Sequence, residues 1–149
     1  MLMLCLITSL ASCSFSSRLP EIMTATALDQ SQIDDVQKEF GFKLPEEASI
    51  ALCRLSNSRD RLFTVIVCGV FDEAGFINDY LEFEVDEPYQ IEHSAYNDGL
   101  GTGNHVMANY YFGMLNGSKR GVYVYSENSE LIIELEKSGI VSKNLLDMF

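Results

Sequence analysis

The sequence has no tryptophan, only three prolines and two histidines, and few basic residues. Its 10 Lys and Arg stand against 22 Asp and Glu, which gives a formal net charge of −12 at pH 7. Negative charge of this size repels the phosphates of nucleic acid and the headgroups of anionic lipid. We therefore expect no nucleic-acid partner. The charge favours a cationic protein partner, and surface acidity also serves solubility alone.

The chain also lacks the motifs that most often mark catalysis or cofactor binding. It has no G-x-S-x-G nucleophile motif and no Walker motif, and we predict no paired carboxylates in apolar surroundings. Residues 99–104, GLGTGN, resemble a phosphate-binding loop but contain no Lys. A dinucleotide site would also need a strand before the glycines and a helix after them. The prediction is a flexible loop, no cofactor and no enzymatic activity.

The two histidines, His93 and His105, give no metal-binding pattern. Glu92 and Asp98 lie near them in the sequence, but no H-x-x-x-H or C-x-x-C spacing is present. We therefore predict histidines on the surface or in a loop, and no metal site.

No Lys or Arg precedes the apolar run of residues 1–11, although a signal peptide normally has such charges. The run is too short for a membrane-spanning helix but suits a signal-peptide core. It ends in Leu10-Ala11-Ser12-Cys13, which resembles the lipobox of bacterial lipoproteins. This resemblance implies cleavage before Cys13, which would carry the lipid. It also implies a lipid anchor in the cell envelope, and Ser14 resembles the sorting pattern for the outer membrane facing the periplasm. The alternatives are a start codon upstream, a weak export signal and a buried N-terminal strand.

After the signal peptide (1–12), residues 13–30 are rich in Ser, Thr and Ala, which predicts a tether. Residues 31–149 are long enough for a single globular domain. Ser31 is predicted to cap a helix over residues 32–40 that Gly41 ends. Residues 33–48, IDDVQKEFGFKLPEEA, resemble the opening of SMI1/KNR4-type immunity domains, where a helix leads into a G-x-x-L-P turn. The match covers Glu39, Gly41, Leu44 and Pro45, and the tryptophan of that family is missing.

The rest of the domain shows mostly strand patterns. Residues 49–55 and the apolar run 62–71 predict an antiparallel hairpin whose second strand is buried on both faces. Asp72 is predicted to cap an amphipathic central helix. A long loop over residues 83–105 follows.

The remaining predicted elements are strands over residues 106–115, 121–125 and 131–135, forming a three-strand meander, and a short helix over residues 145–149. For residues 106–115 a helix is the alternative. The predicted fold class is therefore α+β: a mainly antiparallel sheet, comprising a hairpin, a central helix and a C-terminal three-strand meander, with helices packed on one side.

Two cysteines lie within the predicted hairpin. If a tight turn pairs Cys53 with Thr64, Cys68 lies about 13 Å further along the strand, on the same face, which is too far for a disulfide. This register predicts two free, buried thiols, whereas a longer loop would bring Cys53 and Cys68 opposite one another. The sequence as a whole predicts a membrane-anchored lipoprotein with a non-catalytic binding or envelope-associated role. The alternative is an acidic inhibitor or immunity protein directed at a cationic envelope enzyme.

Overall fold

Antiparallel sheet dominates the structure, a computed structural model that describes residues 22–57, 60–95 and 104–149. The strands are β1 (Ile22–Ala25), β2 (Ser49–Ser56), β3 (Leu62–Cys68), β4 (Tyr89–Ser94), β5 (His105–Leu115), β6 (Ser118–Glu127) and β7 (Glu130–Ser138). They form one sheet in the order β1-β2-β3-β7-β6-β5-β4, and every neighbouring pair is antiparallel.

Helical structure is limited to short segments. These are α1 (Gln30–Phe40), α2 (Glu73–Gly75), a π-helical turn (Phe76–Tyr80) and α3 (Lys143–Leu146). The prediction of a mainly antiparallel sheet with some helices is confirmed. The sheet has a larger share of the chain than an α+β description suggests.

The predicted central strand is β3, which lies between β2 and β7 as its apolar sequence requires. Val65 and Ile66 point to opposite faces and both are fully buried. The strand ends at Cys68 and does not continue to Phe71 as predicted, because Gly69 adopts a left-handed backbone with φ of +79°. Phe71 is 88% exposed, so its apolar side chain does not contribute to the core.

The β2–β3 hairpin is confirmed, but its register differs by one residue from the prediction. Ser56 pairs with Leu62 and Cys53 pairs with Val65. A shift of one residue moves a side chain to the other face of the sheet. Cys53 accordingly packs in one core cluster and Cys68 against the other, and both thiols are free. The predicted free thiols are confirmed, but Cys68 is only half-buried, and the predicted placement of both thiols on one face is wrong.

The first helix begins earlier than predicted. Asp29 caps α1, with its carboxylate accepting a hydrogen bond from the N–H of Gln32 at 2.9 Å, and the Gln32 side chain bonds back to the Asp29 N–H. This reciprocal arrangement satisfies two amide groups at once, which Ser31 inside the helix cannot do. The predicted end at Gly41 is confirmed, since Gly41 adopts φ of 72°.

The predicted central helix is shorter and less regular than its pattern suggests. Asp72 caps it as predicted, accepting from the Gly75 N–H at 2.6 Å. After α2 the backbone widens into the π-helical turn, which ends at Tyr80. The N–H of the next residue, Leu81, donates to the Phe76 carbonyl. The turn buries Phe76, whereas the other apolar side chains of the segment, Ile77, Tyr80 and Leu81, are only half-buried.

Two edge strands, β1 and β4, were not predicted. The tether was predicted to include residues 22–30, but β1 pairs with β2 and packs Met23 and Ala25 against the core. Likewise, β4 falls inside the predicted long loop and pairs with β5 along its full length. The strand β1 is too short to show a pattern and β4 lies in a segment rich in turn formers, so pairing with a neighbouring strand fixes both.

The C-terminal half follows the prediction more closely. Strands β5, β6 and β7 form the three-strand meander, and residues 106–115 are strand and not helix. The terminal helix α3 starts two residues before the predicted position. No helix within the described residues is long and apolar enough to cross a membrane.

The sheet contributes to two buried clusters, one on each face. The first cluster combines strand residues with helix residues: Val36, Phe40, Phe63, Val65, Phe76, Ile133, Leu135 and Leu145 are among its members. The second cluster is smaller and has these buried members: Leu52, Ile66, Ala95, Ala108, Tyr125 and Ile132.

Candidate functional site

The second face of the sheet holds a group of polar and aromatic side chains that come from β4, β5, β6 and β7. We call it the tyrosine–carboxylate cluster; its members are His93, Tyr110, Tyr123, Tyr125, Glu134 and Glu136.

A contact between the outer strand β4 and β7 shows that this face is concave. His93 Nε2 lies 2.9 Å from Glu134 Oε2. Strands in a flat sheet lie about 4.8 Å apart, so three steps from β4 to β7 would separate these backbones by about 14 Å. The two side chains meet because the sheet curves towards them. The His93 side chain is 15% exposed and that of Glu134 is 7% exposed.

Glu134 and Glu136 lie on the same face of β7, because side chains alternate along a strand. Tyr125 donates its hydroxyl to Glu134 Oε2 at 3.2 Å, so this oxygen has two partners. Glu136 accepts a hydrogen bond from the Tyr123 side chain. Burial first, and then the negative charge of Glu134, raise the pKa of Glu136 to about 7, although His93 and the Tyr123 hydrogen bond act in the opposite direction.

Stacked rings form the sides of the cluster. The His93 ring stacks on Tyr123 with centroids 4.1 Å apart and an angle of 15° between the planes. The ring centroid of Tyr110 lies 4.7 Å from that of Tyr123 and 5.3 Å from that of the exposed Tyr89. Burial, followed by the charge of Glu136, raises the pKa of Tyr123, so its hydroxyl stays protonated and able to donate.

A glycine allows Tyr110 to lie close to Glu136. Gly121 is the cross-strand neighbour of Glu136, and a Cβ placed on it would lie only 3.0 Å from atoms of the Tyr110 ring and hydroxyl. Any larger residue at position 121 would push Tyr110 away from the sheet. The absence of a side chain therefore positions an aromatic ring beside a half-buried carboxylate.

This arrangement is suited to binding a positive charge. Carboxylates supply Coulomb attraction, and the faces of tyrosine rings attract cations through their quadrupole. A cation beside Glu136 would also replace part of the hydration that the carboxylate loses on burial. Within residues 22–57, 60–95 and 104–149, no group of three or more His, Cys, Asp or Glu could hold a metal ion.

The sequence interpretation missed most of this cluster. His93, predicted for the surface or a loop, lies on a strand in a partly buried network. The prediction suits His105 better, since its side chain is 70% exposed and lies 3.5 Å from Glu92. The signal for Glu134 and Glu136 was present in the sequence IIELE, where two carboxylates alternate with apolar residues in a predicted strand. Our sequence interpretation did not recognise these paired carboxylates in apolar surroundings.

The other sequence candidates do not join the cluster. Cys13, Asp98 and the glycines of residues 99–103 lie outside the described residues. Burial raises the pKa of Cys53 to about 12 and also raises that of Cys68, so neither thiol is activated. Comparisons with protein-family models, with curated proteins and with solved structures found no match to this chain.

Proposed function

We propose that this chain is a lipid-anchored protein of the bacterial cell envelope whose domain has a non-catalytic role in binding a cationic group of a protein partner. The lipobox resemblance at Leu10-Ala11-Ser12-Cys13 supports the anchor, and Ser14 supports the outer membrane facing the periplasm. The tyrosine–carboxylate cluster is the proposed binding surface. Its half-buried Glu136, whose pKa burial raises to about 7, is the observation that carries the proposal.

The chemistry of the cluster favours binding over catalysis. His93 and Tyr125 both hold Oε2 of the buried Glu134, which fixes its position, and Glu136 is the carboxylate nearer to solvent. The Tyr123 hydroxyl donates to Glu136, and the Tyr110 ring lies beside the cross-strand Gly121. A lysine or arginine side chain that reaches this point would contact a carboxylate in an aromatic surrounding, where a cation–π contact can add to the charge attraction.

Binding of a short arginine-containing peptide to the purified full chain in detergent tests this proposal. We expect the NMR signals of the Tyr110 and Tyr123 rings to shift when the peptide binds. Glu136→Gln should weaken binding about fivefold, because one ion pair that is partly open to solvent contributes about 1 kcal/mol. Since a cation favours the ionised carboxylate, affinity should rise from about pH 6 to about pH 8 in the unmodified chain and stay level in the variant.

The matched control is Glu130→Gln, which removes an exposed carboxylate from the same strand and should leave binding unchanged. Equal weakening by both substitutions would assign the binding to overall acidity. An unchanged affinity in Glu136→Gln would contradict the proposed surface.

An acidic inhibitor or immunity protein directed at a cationic envelope enzyme is the second candidate, and one surface feature favours it. Residues 82–87, EFEVDE, run beside β5, where Val85 bridges to Gly113. The apolar side chains of this segment are half-buried. Its four acidic side chains are exposed: Glu82, Glu84, Asp86 and Glu87. Only Glu82 has a basic neighbour among the described residues, Lys43 at 3.6 Å.

The two candidates differ in which carboxylates matter. If the acidic segment 82–87 is the interface, Glu84→Lys should abolish binding to a cationic protein such as a lysozyme-type basic enzyme, and Glu136→Gln should have no effect. The tyrosine–carboxylate cluster predicts the opposite ranking. Raised salt weakens an exposed acidic interface more than a partly buried one, which gives a second comparison.

The placement of the helices also remains a proposal. We propose that all of them pack on the face opposite the tyrosine–carboxylate cluster. Helix residues Val36, Phe40, Phe76 and Leu145 belong to the first core cluster, and no helix residue is among the members of the second. Such an arrangement would leave the concave face open to a partner.

A further inference from the structure

A cavity of about 330 Å³ lies beside the C-terminal end of α1. Its lining includes the side chains of Lys38, Arg120 and Lys137, against the carboxylates of Asp35 and Glu39. The cavity is thus lined by more positive than negative groups, although the chain as a whole carries a net charge of −12. It is separate from the tyrosine–carboxylate cluster, because Lys137 and its neighbour on β7, Glu136, point to opposite faces.

Two buried cations face each other in this cavity. Arg120 on β6 is the direct cross-strand partner of Lys137 on β7, and the two residues are 4% and 8% exposed. Like charges directly opposite one another in an antiparallel pair repel. Removing both from water adds a further cost unless each charge is paired.

The surrounding protein compensates this charge only in part. Lys137 Nζ forms an ion pair with the Glu39 carboxylate. Arg120 donates from Nη2 to the Glu39 carbonyl at 2.9 Å and from Nη1 to the Lys119 carbonyl at 3.1 Å, and both of these acceptors are neutral. Two buried cations therefore share one carboxylate.

One of the three guanidinium nitrogens of Arg120, Nε, has no hydrogen-bond acceptor among the described residues. The bond to the Glu39 carbonyl caps the end of α1, a common role for arginine, but it uses Nη2 only. In the part of the chain that the structure describes, no group accepts a hydrogen bond from Arg120 Nε. A buried N–H of a charged group without an acceptor is costly, so a group that supplies one gains binding energy.

We propose that this cavity binds a small oxyanion, a phosphate or carboxylate group, on Arg120. Such an anion brings a second negative charge to Arg120 and Lys137, and on binding the guanidinium would turn its buried Nε towards this new acceptor. The planar guanidinium is suited to oxyanions, and Lys38 at the exposed rim adds a third positive charge. The cavity volume is at the small end of the range for ligand sites, which suits a compact solute.

Titration of the full chain in detergent with inorganic phosphate, and separately with acetate, tests the site. The readout is the NMR signal of the Arg120 Nε–H, assigned by its loss in Arg120→Met. We expect a saturable shift of this signal and slower exchange of its proton with solvent. Arg120→Met should weaken binding by at least about tenfold, measured by calorimetry, because it removes the charged hydrogen bonds.

Lys38→Gln provides a variant that does not disturb the core, and Lys119→Gln is its matched control. Both lysines are exposed, but Lys119 is the neighbour of Arg120 on β6 and points to the other face. Lys38→Gln should weaken anion binding about threefold, as expected for one exposed charge, and Lys119→Gln should not.

The arms of this experiment separate the outcomes. Saturation by acetate alone would assign the site to carboxylates, and saturation by phosphate alone would assign it to phosphates. If sodium chloride reproduces the NMR shift, or if Lys38→Gln and Lys119→Gln have equal effects, the shift reflects general screening of charge and the proposal is wrong. A failure of Arg120→Met to fold leaves the comparison of the two lysine variants to decide.

Discussion

At the residue scale, the main discovery is a pair of carboxylates with different surroundings on one strand face. Glu134 is held by His93 and Tyr125, whereas Glu136 remains half-buried beside Tyr123. Period-two alternation predicts from sequence that both carboxylates share a face. Their burial depends on the curvature of the sheet, which brings His93 across from β4. No local pattern encodes that contact, so the sequence alone could not identify the cluster.

The raised pKa of Glu136 predicts a pH dependence of stability. An ordinary pKa of 4.5 rises to about 7 in the folded chain, so between these values the folded state binds more protons than the unfolded state. The free energy of unfolding should therefore fall as pH rises from about 5 to about 8. In Glu136→Gln this pH-dependent change in the free energy of unfolding should vanish. The stability of the variant relative to the unmodified chain should therefore be higher at pH 8 than at pH 5. Denaturant unfolding across that range measures both slopes.

Glu130→Gln is the control for this comparison, since its exposed carboxylate should leave the slope unchanged. Identical slopes in the unmodified chain and in Glu136→Gln would show that Glu136 does not carry a raised pKa.

At the element scale, turn residues and apolar runs identify β2, β3 and the meander, because each of these strands has enough local signal. Two strands, β1 and β4, could not be predicted in this way. The four-residue strand β1 is too short for a pattern, and β4 alternates polar with apolar residues inside a segment rich in turn formers. The hairpin register also shifts by one residue, which is enough to place Cys53 and Cys68 on different faces.

Gly113 on β5 predicts how the acidic segment 82–87 is held. A Cβ at this position would lie 2.4 Å from the Glu84 carbonyl oxygen and 2.7 Å from the Phe83 ring. Gly113→Ala should therefore push the segment off β5 and lower the free energy of unfolding by about 1–3 kcal/mol, as overpacking does. Amide exchange measures the local effect. The Asp86 N–H, which donates to the Phe112 carbonyl at 2.8 Å, should lose protection.

Gly117→Ala is the matched control. It lies in the β5–β6 turn with φ of +74°, and a Cβ placed on it would have no atom within 4 Å. It should cost about 1 kcal/mol through backbone strain and leave the Asp86 amide protected. Loss of protection in both variants would show that general destabilisation, and not the contact with Glu84, releases the segment.

At the scale of the whole molecule, charge and attachment work together. A chain with a net charge of −12 is repelled by anionic lipid, so electrostatics cannot hold it at a membrane. The proposed membrane attachment would then have to come from apolar groups. Within the described residues no helix can span a membrane, and the lipobox resemblance offers acyl chains as the apolar groups. The negative surface would keep the domain away from the lipid and available to a cationic partner.

The proposed lipid anchor predicts that one thiol, that of Cys13, controls membrane attachment. Cys13→Ala removes the sulfur that would carry the diacylglycerol and the new N-terminus that would carry the third chain, and each buried methylene contributes about 0.8 kcal/mol to membrane binding. We expect the variant to lose labelling by a fatty-acid probe and to leave the membrane fraction. Cys5→Ala is the matched control, because it removes a thiol from the signal-peptide core and should keep both label and attachment. If Cys13→Ala stays labelled and sediments with membranes, Cys13 is not the attachment site, and the apolar run of residues 1–11 must be explained in another way.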